Sequence, residues 1–167
     1  MKILAIDPGY ERLGIAIMEK ESGSKERIIF SDCLQTSAKE IHASRLAKIA
    51  EALKELIETY SPTILATEKL FFSSNQKTAL LVAEARGVVL SECVRLGLKV
   101  FEYHPSAIKI AVTGHGKSDK KQVIDMVKKL VKIDKTIKYD DEWDAVAVGI
   151  TYFATDANTL DKYQVFR

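Results

Sequence analysis

Residues 2–9 of the chain read Lys-Ile-Leu-Ala-Ile-Asp-Pro-Gly. An apolar run of this length predicts a buried strand over residues 2–7, and the Pro-Gly pair that follows it predicts a turn. Residues 13–19 and 27–34 are two further apolar runs, and Ser-Gly-Ser at residues 22–24 suits the tip of a hairpin between them. Three successive strands with short links predict an antiparallel meander.

The apolar spacing then becomes helical. Ser37 and Glu40 have the spacing of a capping box, and the residues that follow predict a helix over residues 38–60. The later elements are predicted as strands over residues 63–68 and 98–103, as helices over residues 76–96 (capped by Asn75), 105–112, 119–132 and 141–157, and as a loop over residues 113–117. This order predicts a single α/β domain over residues 1–167. Its mixed five-stranded sheet would have three antiparallel and then two parallel strands, with helices on both faces.

Composition places the chain among globular proteins. Of its 167 residues, 47% are hydrophobic and 29% charged, with 8 glycines and 3 prolines, which excludes disordered and collagen-like classes. Two cysteines, Cys33 and Cys93, are too few for a disulfide framework and are expected to be reduced core thiols. The first apolar run is too short for a signal peptide, and no run reaches the ~18 residues of a membrane span. We therefore expect a soluble, cytoplasmic protein.

Positive charge is concentrated in one segment. Residues 99–138 contain ten lysines and four acidic residues, a net charge of +6, whereas the rest of the chain carries −4. Such an asymmetry is typical of a surface that binds a polyanion such as nucleic acid. The alternative is a solvated, lysine-rich helix surface, which charge alone does not exclude.

Four carboxylates lie where apolar elements begin or end. Asp7 and Glu68 end two predicted strands, and Asp141 and Asp144 share one face of the last helix. A carboxylate in such a place is costly to bury unless it is paired, hydrogen-bonded or bound to a metal. Hard oxygen ligands suit Mg²⁺, which offsets phosphodiester charge and activates water, and no Cys or His spacing suggests zinc. Each residue alone also fits a plainer role, namely a turn residue, a solvated strand end or a helix cap.

Six motifs in this order resemble those of the RuvC family of Holliday junction resolvases, within the ribonuclease H-like superfamily. They are Ile6-Asp7-Pro8-Gly9 with Gly14, Glu68-Lys69-Leu70-Phe71, Ala83-Glu84-Ala85-Arg86-Gly87, Val100-Phe101-Glu102-Tyr103, Gly114-His115-Gly116 with Lys120 and Gln122-Val123, and Asp141-Glu142-Trp143-Asp144-Ala145. The resemblance covers residues 2–155, nearly the whole chain, and implies the ribonuclease H-like fold.

The same resemblance implies an activity. It implies a homodimeric, Mg²⁺-dependent endonuclease that nicks two strands of a four-way DNA junction symmetrically in recombination and repair, leaving 5′-phosphate and 3′-hydroxyl ends. Asp7, Glu68, Asp141 and Asp144 would be the catalytic ligands of two Mg²⁺ ions, with Asp7 bridging them and Mn²⁺ as a possible substitute. One ion would activate the attacking water and the other would stabilise the leaving 3′ oxygen.

The resemblance also implies DNA contacts. Phe71 matches an aromatic residue that the family places against bases at the junction, although Phe72 beside it leaves the register open. Lys109 and Lys120 match basic positions that contact DNA or assist catalysis, and Lys117 and Lys121 are neighbouring candidates for phosphate contacts. The remaining expectations are that His115 either approaches DNA or is idle, that residues 75–96 form the dimer interface, and that RuvA and RuvB are partners.

Other functions remain open at this point. A related ribonuclease H-like nuclease would act on RNA–DNA hybrids or another structured nucleic acid, and a non-catalytic protein would bind junctions without cutting them. The intact set of four acids argues against the non-catalytic protein, because a protein that only binds DNA gains nothing from acids that repel its phosphates. A kinase or ATPase of the actin-like fold also begins with a strand and an Asp-x-Gly turn, but it needs two such domains, and 167 residues are too few.

Overall fold

The computed structural model describes residues 1–70, 76–155 and 157–166. Its strands are β1 (Lys2–Asp7), β2 (Arg12–Glu19), β3 (Arg27–Gln35), β4 (Ile64–Glu68), β5 (Lys99–Tyr103) and β6 (Gln164–Phe166). Its helices are α1 (His42–Tyr60), α2 (Gln76–Arg95), α3 (Pro105–Thr113), α4 (Lys120–Leu130), α5 (Asp140–Ala154) and α6 (Ala157–Leu160). The predicted alternation of strands and helices is confirmed, and Asn75, the predicted cap of α2, lies outside the described residues.

The strands form one mixed sheet in the order β3-β2-β1-β4-β5-β6. β1 pairs antiparallel with β2 and parallel with β4, and β4 pairs parallel with β5. The register aligns Ile6 with Thr67 and Thr67 with Glu102. The carboxyl ends of β1, β4 and β5 therefore meet at one edge of the sheet, which is where open α/β sheets bind ligands.

Alternating side chains divide the core into two layers. Leu4, Ile6, Leu65 and Val100 pack against α1 and α2 on one face. Ile3, Ala5, Ala66 and Phe101 pack against α3, α4 and α5 on the other. The prediction of helices on both faces is confirmed, and Cys33 and Cys93 are buried free thiols as expected.

The sheet has a sixth strand where the sequence predicted five. β6 pairs antiparallel with the outer edge of β5, and the Glu102 amide donates to the Tyr163 carbonyl at 2.9 Å just before it. Three residues are too short to show a period, so this strand depends on the edge that β5 offers rather than on its own sequence.

The predicted start of α1 was wrong. The helix begins at His42, after Ile41, which makes no side-chain cap. Ser37 instead closes a local turn, because its hydroxyl accepts from the Lys39 amide at 3.2 Å and its carbonyl from the Glu40 amide at 3.0 Å. Ser side chains compete in this way for nearby backbone groups.

A complete capping box lies at α4 instead. Asp119 accepts from the Gln122 amide, and the Gln122 side chain accepts from the Asp119 amide, both at 2.9 Å.

The last helix, which the sequence predicts over residues 141–157, is divided in the structure. α5 ends where Thr155 turns extended, with the Thr155 hydroxyl donating to the Thr151 carbonyl at 2.7 Å, and α6 follows separately. In the described parts of the chain, no helix has the length and hydropathy that crossing a bilayer requires.

Glycine lets α5 lie directly on the sheet. A Cβ added to Gly14 in β2 would lie 1.8 Å from the backbone carbonyl oxygen of Asp141, and one at Gly149 would lie 2.3 Å from the sulfur of Met18. At Gly14 the overlap is with backbone, so no side chain fits there, whereas at Gly149 the flexible Met18 side chain would have to move. The close approach at Gly14 therefore fixes the first turn of α5 over the end of β1.

The substitution Gly14→Ala tests this contact. We expect it to lower the free energy of unfolding by about 2 kcal/mol, because the added methyl group must push the backbone of α5 away from the sheet. Urea denaturation measures the change. The control is Ala38→Gly, which alters one methyl group in an exposed turn and should lower the free energy of unfolding by no more than about 1 kcal/mol, through the greater freedom of the unfolded chain. Equal stability of Gly14→Ala and the parent would contradict the close contact.

Candidate active site

Two acidic side chains end neighbouring parallel strands. Asp7 is the last residue of β1 and Glu68 the last residue of β4. Asp7 continues the alternation of Ile3 and Ala5, and Glu68 that of Ile64 and Ala66, so both point toward the layer of α5. The strand register thus brings two carboxylates to one corner of the sheet.

The first turns of α5 bring the other two. Asp141 and Asp144 lie three residues apart on α5, whose first turn is anchored at Gly14, the register partner of Asp7. The partial positive charge of a helix N-terminus favours acidic side chains there. Asp140 adds a fifth acid to this end of the helix, but its side chain is 63% exposed, compared with 21% for Asp141 and 31% for Asp144.

Electrostatics show that Asp7 lies at the centre of this group. Burial raises the pKa of Asp7 well above its ordinary value, and the charges of Asp144, Glu68 and Asp141 raise it further, in that order. Each of these interactions requires the two carboxylates to be close. The structure therefore brings the four predicted acids together around Asp7.

The pKa values of Glu68 and Asp144 are raised as well. Burial, reinforced by the charge of Asp144, raises the pKa of Glu68 to about 7, against opposing contributions from Lys109 and Lys120. Burial also raises the pKa of Asp144, although a hydrogen bond from Lys120 counters it. Carboxyl groups whose pKa is raised toward neutral pH are common at functional sites.

Two cations from the chain bind the acids of α5. The ammonium of Lys120, at the start of α4, lies 2.8 Å from Oδ2 of Asp144 and 3.4 Å from Oδ2 of Asp140. The Nε atom of Arg12, at the start of β2, lies 3.2 Å from Oδ2 of Asp141. The sequence did not predict Arg12, because this residue lies outside the lysine-rich segment and a single arginine beside a turn forms no motif.

The donor set suits a hard divalent cation. All four groups offer carboxylate oxygens, the ligands that Mg²⁺ and similar ions prefer. Oδ2 of Asp141 is buried and accepts no hydrogen bond, since Arg12 is near it but not aligned to donate. Yet in the described parts of the chain, no three His, Cys, Asp or Glu side chains are arranged so that together they could hold a metal ion. The acids lie close together, but Asp144 and Asp141 of α5 form ion pairs with Lys120 and Arg12.

A cavity of about 220 Å³ adjoins the carboxylates. Glu68, Asp144, Lys109 and Lys120 line its polar side. Its apolar side is formed by Pro105, Ile108, Val123 and Ala147. Lys109, predicted to contact DNA, therefore lies beside the acids, on α3.

The other predicted DNA contacts are farther out or not described. Lys117 is exposed in the loop before α4, and Lys121 is exposed in its first turn. His115 is exposed in the same loop, where its carbonyl accepts from the Ser118 hydroxyl at 2.9 Å. Phe71 and Phe72 lie outside the described residues.

Other charged groups near the site have structural contacts. Glu142 is buried, and its carboxylate lies 2.6 Å from the ammonium of Lys135. Lys135 also donates to the carbonyl of Ser31 in β3. These contacts hold the α4–α5 loop on the edge of the sheet and fix where α5 begins.

A second polar group lies behind the site, on the α2 face of the sheet. Arg86 of α2 forms an ion pair with buried Glu102 of β5, which joins two of the six sequence motifs. Tyr10, after the β1 turn, hydrogen-bonds Nδ1 of His42 at 2.6 Å, and Nε2 of His42 lies 2.9 Å from Glu84. The turn after Asp7 is thereby linked to both α1 and α2.

The sequence and the fold are similar to those of one family of known proteins. The family model for crossover junction endodeoxyribonuclease RuvC matches residues 3–152. The protein of that name from Caldicellulosiruptor saccharolyticus is 37% identical over 160 residues, which cover 96% of this chain and 96% of that protein. The one from Thermosipho melanesiensis is 45% identical over 149 residues, which cover 89% of this chain and 94% of that protein. The structure of Thermus thermophilus RuvC in complex with a Holliday junction substrate superposes with a TM-score of 0.88, at 26% identity and 99% coverage of both chains.

These matches confirm the ribonuclease H-like α/β fold and the predicted resemblance. They span β1 through α5, the elements that carry all four acids. The chain therefore belongs to the crossover junction endodeoxyribonuclease RuvC family.

Proposed function

We propose that the protein resolves four-way DNA junctions by cutting two strands symmetrically, and that Asp7, Glu68, Asp141 and Asp144 are its catalytic residues. The convergence of these carboxylates around Asp7, at the carboxyl edge of the sheet, carries the proposal. Family membership supports it, and the Thermus thermophilus relative was solved with a Holliday junction substrate.

Membership of this nuclease family implies dependence on a divalent metal. We propose Mg²⁺, with two ions per site and Mn²⁺ as a substitute, held by the four carboxylates. Bound there, such ions offset the charge of the scissile phosphate and acidify water. The chain's own part is to hold the four carboxylates in place, with Asp7 between the acids of β4 and α5. We expect 5′-phosphate and 3′-hydroxyl ends.

Lysines on α3 and α4 are proposed to hold the DNA. Lys109 and Lys120 line the cavity beside the carboxylates, so a phosphate next to the cut would lie within their reach. Lys117 and Lys121 extend the positive surface outward. Phe71 is proposed to stack on a junction base, which tolerates any base because each has a π face.

A homodimer is proposed through α2. Leu80 and Val94, four helical turns apart on this helix, are 71% and 42% exposed. Apolar side chains that recur on one helix face are typical of a contact surface. A two-fold dimer would present two active sites to a junction that is itself nearly two-fold, so that paired cuts follow from symmetry. Cooperation with RuvA and RuvB in recombination and repair remains a prediction.

Removal of one catalytic carboxylate tests the role of the acids. We expect Asp7→Asn, Glu68→Gln and Asp144→Asn each to lower the cleavage rate of a synthetic mobile four-way junction at least about a thousandfold, as for loss of a main source of transition-state stabilisation. Nicks are mapped on all four strands with Mg²⁺, and an RNA–DNA hybrid is assayed in parallel. Asp125→Asn, at an exposed site on α4, is the control.

The outcomes separate the three candidate functions. Junction nicks that disappear in Asp7→Asn, while this variant still retards the junction in a gel, support catalysis. A wild-type protein that retards the junction without nicking it would be a binding protein. Preferential cleavage of the hybrid would make it a ribonuclease. A variant that nicks at the wild-type rate removes its residue from the site.

The raised pKa values predict a pH-dependent stability. Because folding raises the pKa of Glu68 from 4.5 to about 7, and that of Asp7 in the same sense, the folded protein holds protons more tightly than the unfolded chain. The stability that these two groups give the metal-free protein is therefore fully present only below their ordinary pKa values, 4.5 and 3.8, and is lost as the pH rises through about 7. Differential scanning calorimetry in chelator measures this dependence.

The substitution Asp7→Asn isolates the effect of the cluster. At pH 8 we expect it to raise the Tm by about 2–4 °C, or ~1 kcal/mol, because it removes a charge that burial and three neighbouring acids disfavour. The gain should shrink toward pH 5, whereas Asp125→Asn should show no such dependence. A Tm for Asp7→Asn at or below that of the parent at pH 8 would contradict the crowding of charge at Asp7.

Charge on α2 tests the dimer. We expect Leu80→Asp to convert the protein to a monomer, because a carboxylate at an apolar contact must be buried without a partner. Light scattering coupled to size exclusion measures the mass. Ile41→Asp, at a residue 76% exposed before α1, should leave the mass unchanged. A Leu80→Asp protein with the mass of the wild-type dimer would place the interface elsewhere.

A further inference from the structure

Lys120 has a position that its proposed contact with DNA does not explain. Its ammonium lies 2.8 Å from Asp144 and 3.4 Å from Asp140, which are both on α5. The Lys120 side chain is only half exposed, so it bends back over the acids instead of extending into solvent. Lys121, the next residue on α4, is also exposed.

The acid cluster needs a cation at this point. The charge of Lys120 lowers the pKa values of Asp7, Glu68 and Asp144 alike, whereas Lys109 acts on Glu68 among these three. Without it, the partly buried Asp7 would face the charges of Glu68 and Asp144 with no shared cation between them. Lys120 is therefore the cation that the three acids share.

The same contact uses a ligand atom. Oδ2 of Asp144 accepts from Lys120, and Asp141 is turned toward Arg12. Among the residues that the structure describes, no three acids are placed so that they could hold a metal ion together. A metal ion bound to the Asp144 carboxylate would lie within a few ångströms of the Lys120 ammonium, and the two cations would repel each other in this partly buried site. Binding of the metal therefore disfavours the contact with Lys120.

We propose that Lys120 is a resident counter-cation of the acid cluster, which a divalent metal ion displaces from Asp144. The role is distinct from a permanent part in metal binding, because Lys120 competes with the metal. The cavity beside Glu68 and Lys109 lies next to the displaced ammonium. There Lys120 would face the DNA strand, a step that rests on the proposed function, whereas the displacement itself does not.

Metal binding without DNA tests the competition. Isothermal titration of MnCl₂ into the full-length protein compares wild type with Lys120→Met and Lys129→Met. Lys129 is exposed on the same helix, so both variants lose one positive charge. We expect Lys120→Met to bind the metal about fivefold more tightly, the factor that corresponds to ~1 kcal/mol for a partly exposed ion pair. Lys129→Met should bind like wild type.

Thermal stability gives a second readout. The metal-free Lys120→Met protein should melt below the metal-free wild type, and saturating Mn²⁺ should raise its Tm by more than it raises the wild-type value. Lys120→Gln, which can still donate a hydrogen bond to Asp144 without carrying charge, replaces Lys120→Met if that variant fails to fold. An ordinary stabilising residue would lower the Tm equally with and without metal.

Chemical modification tests the displacement in the wild-type protein. Acetylation by acetic anhydride, followed site by site by mass spectrometry, should become severalfold faster at Lys120 when Mn²⁺ saturates the site, with Lys129 as the internal reference. Weaker or unchanged metal binding by the Lys120 variants, an unchanged rate of acetylation, or no binding by any variant at millimolar Mn²⁺ would overturn the proposal. Because no DNA is present, these results are independent of whether the protein cuts junctions.

Discussion

Mutual repulsion of carboxylates at one edge of the sheet is the constraint on which the rest of the structure depends. Asp7 cannot ionise readily beside Glu68, Asp141 and Asp144 in a buried corner unless positive charge is brought to it. The fold supplies that charge from several elements. The N-terminus of α5 points at the site, Lys120 reaches it from α4, Arg12 from β2 and Lys109 from α3.

The scaffold keeps the acids together in spite of this cost. The parallel register of β1 and β4 places two of them at one corner, and the absence of a side chain at Gly14 lets α5 bring the other two against it. Behind the sheet, Arg86 and Glu102 tie α2 to β5, and Lys135 holds the loop before α5 on β3. Stability is thus given up locally at the acids and supplied by packing around them, as is common where a site must bind charge.

Much of this could be predicted from the sequence, because the relevant signals are local. Asp7 and Glu68 each follow an apolar run, and Asp141 and Asp144 have helical spacing, so their placement at element ends needs no tertiary information. What could not be predicted depends on distant partners. Arg12 of β2 meets Asp141 of α5, 129 residues later in the chain, β6 forms only because β5 has a free edge, and Ser37 favours a turn of its own over α1.

Direct localisation of bound metal tests the central claim that these four acids form a divalent metal site. Crystals of the protein soaked in MnCl₂ should show two anomalous scattering peaks, one on each side of the Asp7 carboxylate, within bonding distance of oxygens from β4 and α5. Manganese bound only elsewhere, with the edge of the sheet empty at saturating concentration, would contradict the account.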